Sequence, residues 1–62
     1  MTTLPDQAKV ERWLDEIEAH GTNLTTWEAE FVEAMQVRRD LGNTFTPKQA
    51  EVIERIYAER TP

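Results

Sequence analysis

Of the side chains able to do chemistry, this sequence offers carboxylates in plenty and little else: 12 Asp and Glu residues, one histidine, no cysteine and no serine. Nucleophilic catalysis needs a nucleophile, a base within hydrogen-bond reach and a group that orients the base. His20 stands alone for the base. It falls in the last turn of an expected helix, where a cation is favoured by the helix dipole, and that alone accounts for it. A metal site needs convergent ligands; with one imidazole only carboxylates remain, and none has the Asp-x-Asp-x-Asp-Gly spacing of a calcium loop. Gly21 and Gly42 both fall in inter-helix turns and build no phosphate-cradling loop. Paired carboxylates do acid–base work when a cleft separates their pKa values, and a chain of 62 residues is short for such a cleft. No catalytic residue, cofactor or metal is expected, and the chain reads as a non-enzyme.

The elements that must position these carboxylates are marked by a helix-start signal written twice. Gly21-Thr22-Asn23-Leu24-Thr25, followed by Ala29-Glu30-Phe31-Val32-Glu33, returns as Gly42-Asn43-Thr44-Phe45-Thr46, followed by Ala50-Glu51-Val52-Ile53-Glu54. In each copy a glycine able to take a positive φ closes one helix, and an apolar residue precedes a threonine N-cap. Glu28 or Gln49 answers that cap three residues later. Cap chemistry arises wherever a short turn precedes a helix, and the first helix holds no third copy, so convergence explains the repetition better than duplication.

Periodicity then predicts three helices, at about 5–20, 26–41 and 47–60. The first has Thr3 as cap and Pro5 in its opening turn, with Val10, Trp13, Leu14 and Ile17 inward. The second carries Trp27, Phe31, Ala34 and Met35 along one face with Val32 at its edge. The third starts on Thr46 and Pro47 and turns Val52, Ile53, Ile56 and Tyr57 inward, with Phe45 stapled onto Ala50. Short loops make consecutive helices neighbours, so the expected fold is an all-α, three-helix bundle forming one domain.

A domain of this size has little stability to spare, and without cysteine no disulfide adds to it. No apolar run approaches the roughly 20 residues of a membrane span, and Met1-Thr2-Thr3-Leu4-Pro5-Asp6 carries neither the basic nor the apolar part of a secretion signal. A soluble protein in the cytoplasm is expected. The formal charge of −5 disfavours nucleic acid and anionic membranes as partners and favours a protein with a basic surface.

Within that charge one pattern stands out. Glu11, Asp15 and Glu18 fall along one side of the first helix, like charges with no basic neighbour on their own helix, whereas Arg12 is placed to pair with Glu16 and Glu51 with Arg55. Glu30 and Glu33 are similarly unpaired on the second helix. Val37 lies beside them, about 120° from Phe31. A solvated face is the ordinary explanation for such charges. The functional one is an acidic surface made of Glu11, Asp15, Glu18, Glu30, Glu33 and Val37 that docks on a basic groove, with Trp13 or Trp27 as further anchors if only partly buried.

Two rival readings are available. A glycine-containing turn between the second and third helices resembles a helix-turn-helix, and the third helix carries Lys48, Gln49 and Arg55. Its outward positions are nonetheless Lys48, Glu51, Glu54, Arg55, Ala58 and Glu59, which would bring three carboxylates to the phosphates. Alternatively the chain is a structural homodimer that completes its core across a two-fold axis.

The pattern Leu24-Thr25-x-Trp27-Glu28-x-x-Phe31-Val32, then Gly42-x-x-Phe45-Thr46-x-Lys48-Gln49-x-x-Val52-Ile53-x-x-Ile56, resembles a two-helix module of bacteriophage and other mobile-element proteins, often found beside DNA-processing functions. It covers Leu24 to Tyr57 and leaves the first helix outside. The resemblance implies a phage or bacterial setting and carries over no catalytic or binding residue. In size, charge and helical character the chain is also similar to anti-CRISPR proteins and other phage inhibitors, which bind host nucleic-acid machinery by surface complementarity. The expected function is therefore a non-enzymatic inhibitor or adaptor that binds a nucleic-acid-handling complex through an acidic helical surface.

Overall fold

The computed structural model describes residues 6–61. They form three helices, α1 (Gln7–His20), α2 (Thr26–Asp40) and α3 (Pro47–Arg60), the all-α three-helix bundle that the periodicity predicts. Thr3 and Pro5 lie outside the described residues. The cap of α1 is Asp6, whose carboxylate accepts from the Lys9 N–H at 3.3 Å. The other two starts follow the expected chemistry. Thr25 and Glu28 close one capping box, Thr46 and Gln49 the other, and Pro47 occupies the first turn of α3.

The two glycine turns are not equivalent, contrary to the repeated signal. Gly42 takes φ 81°, the left-handed conformation expected of it. Gly21 has φ −65° and ψ 135°, and the left-handed residue of its loop is Asn23 at φ 57°. Glycine is required at 21 for a different reason: a Cβ there would stand 2.4 Å from the Ile17 carbonyl oxygen, which accepts the Gly21 N–H.

The core is Val10, Leu14 and Ile17 of α1, Val32 and Met35 of α2, Phe45 of the second loop, and Ala50, Ile53 and Ile56 of α3. Trp13, Leu24, Phe31, Val52 and Tyr57 pack half-buried around it. α1 and α3 present the faces their sequences predict. α2 does not: its buried line is Glu28, Val32 and Met35, and Trp27 is 56% exposed. Ala34 is exposed as well, while Met35 is buried and Phe31 half-buried as expected, so the helix is rotated toward its Val32 edge by somewhat less than one residue's 100°.

The reason lies on the other helices. Glu28 and Arg39 bracket the inward line of α2 at helical spacing, and charged residues there argue against burying that side. Arg60 of α3 meets Glu28, and Asp15 of α1 meets Arg39. With both charges answered from across the bundle, Val32 and Met35 turn in, Phe31 stays at the margin of the core and Trp27 turns out.

Two further contacts lock the loops. Gln7 holds the backbone of Phe45 from both sides: its Nε2 donates to the Phe45 carbonyl at 3.1 Å and its Oε1 accepts the Phe45 N–H at 2.7 Å. The Thr22 N–H donates to the Arg60 carbonyl at 2.9 Å, tying the first loop to the end of α3.

Candidate functional site

The acidic residues singled out in the sequence, and Val37 with them, are all exposed, and the fold divides them into four groups. Glu18 and Glu33 come together. They line a groove of about 440 Å³ between α1 and α2, whose apolar wall is made by Ile17, Leu24, Ala29 and Val32, with Gln36 and Gly21 completing it. Asp15, one turn along α1, pairs with Arg39 of α2. Its hydrogen bond, with Coulomb attraction from Asp15, Asp40 and Glu18, pushes the Arg39 pKa further up against the cost of partial burial and keeps the guanidinium charged. The stripe on α1 is thus partly neutralised by a residue that its own helix does not contain.

Glu30 and Val37 belong to the third group, on the outward side of α2, where Val37 is 54% exposed. Glu11 sits toward the start of α1, away from the groove. Among the described residues none of Glu11, Glu30 and Glu33 forms an ion pair. Neither Arg12 with Glu16 nor Glu51 with Arg55 forms the expected i, i+4 bridge; Glu16 lies 3.8 Å from His20 instead.

His20 is exposed in the last turn of α1, and among the described residues its one ion-pair partner is that Glu16 carboxylate. No group of three His, Cys, Asp or Glu side chains among the described residues is arranged to hold a metal ion. No described helix is long and apolar enough to cross a membrane.

Comparison with known proteins gives no matching family model, curated relative or solved structure.

Two features escaped the sequence reading. Glu28 is buried, and it takes the Thr25 N–H at 2.8 Å and Arg60 Nε at 3.1 Å on the same oxygen. The hydrogen bond from the Thr25 backbone lowers its pKa most, against the opposing effect of burial, and the Arg60 charge lowers it further. The capping box was visible in the sequence; the cation from the far end of the chain was not. The second is the stack of the exposed Trp27, named in the sequence only as a conditional anchor, on the half-buried Phe31, with ring centroids 5.3 Å apart and planes 12° from parallel. Trp13 is half-buried, resting against Tyr57 with Lys9 over its ring.

The outward side of α3 carries Lys48, Glu51, Glu54, Arg55, Ala58 and Glu59, all exposed as expected. A helix with that balance repels a phosphate backbone about as much as it attracts one.

Proposed function

We propose that this chain is a non-enzymatic protein-binding domain, an inhibitor or adaptor of phage or mobile-element type, that docks on a basic surface of a nucleic-acid-handling complex in the bacterial cytoplasm. The observation that carries this reading is the pairing of Glu18 and Glu33 on either side of an apolar groove. Such a groove suits a segment in which an apolar side chain is flanked by lysine or arginine: the apolar part fills the wall at Ile17, Leu24 and Val32 while the cations meet the two carboxylates. Glu11 and the net charge of −5 extend the field that steers a cationic partner to it. Asp15 contributes to that field less, because Arg39 already answers it.

The test is capture from a bacterial host extract on the immobilised chain, with bound proteins identified by mass. A basic nucleic-acid-handling protein should be retained, its binding should weaken with salt, and Glu18→Lys with Glu33→Lys should abolish it without loss of helicity. Equal capture by the doubly substituted chain would refute the groove. Direct retention of duplex DNA by the pure domain at low salt would replace this reading with the helix-turn-helix one.

A further inference from the structure

Three large apolar side chains are exposed among the described residues, Trp27, Val37 and Leu41, and all belong to α2 or its C-cap. They are not scattered. Trp27, Ala34 and Leu41 recur at heptad spacing along one line, with Glu30 and Val37 close on one side and Phe31 and Arg38 close on the other. This strip runs the length of α2 on the side turned away from Val32 and Met35, and its Leu41 end is 72% exposed. Trp27, Val37 and Leu41, aligned on one side of a single helix with Phe31 and Ala34 between them, differ from the scattered single apolar residues that are ordinary on a surface.

We infer that a second copy of this chain covers it, α2 lying antiparallel to α2 about a two-fold axis at Ala34. The sequence around Ala34 is self-complementary. Trp27 and Leu41 stand equally far from Ala34, about 10 Å in each direction at 1.5 Å per residue. The axis therefore brings Trp27 of each copy level with Leu41 of the other. Phe31 and Val37 are also equidistant from Ala34 and come level in the same way. So are Glu30 and Arg38, which places each Glu30 carboxylate opposite an Arg38 guanidinium of the second copy and gives two ion pairs by symmetry. Ala34, the smallest side chain of the strip, falls at the crossing, where the backbones must approach most closely.

Arg38 is already held in place, its Nε donating to the Thr44 carbonyl at 2.7 Å, and its terminal amino groups provide the donors for the second copy. A parallel arrangement would set Glu30 beside Glu30 and Arg38 beside Arg38, which like-charge repulsion disfavours. Glu33 lies about 100° around α2 from the strip, so the acidic groove stays open in the dimer, and this inference does not rest on the function proposed for that groove.

The experiment is sedimentation equilibrium of the full chain from about 1 μM to about 1 mM, the range of a small, weak interface opposed by net charge. A reversible monomer–dimer equilibrium is expected, with Trp27 emission shifting to shorter wavelength as the dimer fills. Ala34→Glu should weaken it at least about tenfold with helicity unchanged. Leu41→Glu, at the exposed C-cap, should do the same and stands in if Ala34→Glu unfolds. The Glu30→Arg chain and the Arg38→Glu chain should each be monomeric alone and pair with each other when mixed. A wild-type monomer throughout, or a dimer indifferent to both Ala34→Glu and Leu41→Glu, would overturn the inference; failure of the two charge-reversed chains to pair would overturn its antiparallel register.

Discussion

Arg60, the last residue of α3, donates from Nε to both carboxylate oxygens of Glu28 in the first turn of α2, at 3.1 and 3.4 Å. One glutamate thereby does two jobs, completing the cap of α2 and fastening α3 to it. The same carboxylate oxygen serves the Thr25 backbone N–H, so neither contact is independent of the other.

Because the Glu28 pKa is lowered in the folded state, its carboxylate contributes stability above the usual glutamate pKa of about 4.3. That contribution disappears as pH falls through the lowered value. Thermal melts followed by circular dichroism should show the wild-type midpoint dropping across this acid range. Glu28→Gln should melt lower at neutral pH and show a shallower acid drop; an identical acid drop would exclude Glu28 as its source.

Gln7 is the residue through which α1 holds the second loop, and its side-chain amide matches the Phe45 peptide group donor for acceptor and acceptor for donor. Gln7→Ala should cost about 1 to 2 kcal/mol, a fall of roughly 10 °C in Tm for a chain of this size. Gln7→Glu is more informative. It keeps the acceptor for the Phe45 N–H but sets a carboxylate oxygen against the carbonyl, so its folded pKa is raised and its deficit relative to wild type should shrink as pH falls. A deficit independent of pH would mean the amide acts by packing alone.

The glycines should respond in opposite ways to asparagine. Gly42 has open space around its Cα but a φ of 81°, so Gly42→Ala should cost about 1 kcal/mol and Gly42→Asn less, since asparagine tolerates that region. Gly21 has an ordinary φ but no room beside the Ile17 carbonyl, so Gly21→Ala and Gly21→Asn should both cost about 2 kcal/mol. Denaturant melts of the four variants separate the two causes; recovery by asparagine at 21 would disprove the steric account.

The candidate site was only partly legible beforehand. Each acidic position could be placed on the surface by helical periodicity, and all proved exposed. What periodicity within one helix could not supply was the neighbour on another. Asp15 belonged to an apparently unpaired stripe until α2 brought Arg39 to it, and Glu18 and Glu33 face one groove only because the two helices pack there.

The sequence by itself determined the number of helices, the starts of α2 and α3 and the inward faces of α1 and α3. Cap chemistry is completed within four residues, and those two helices each carry a single apolar side. The orientation of α2 was decided by tertiary structure. That helix has two apolar sides, and the one with fewer aromatic groups is buried because Arg60 and Asp15, remote in the chain, answer the charges at its two ends. Charge compensation across helices is a property of packing and leaves no trace in local periodicity, which is why the outer strip of Trp27, Ala34 and Leu41 emerged only with the fold.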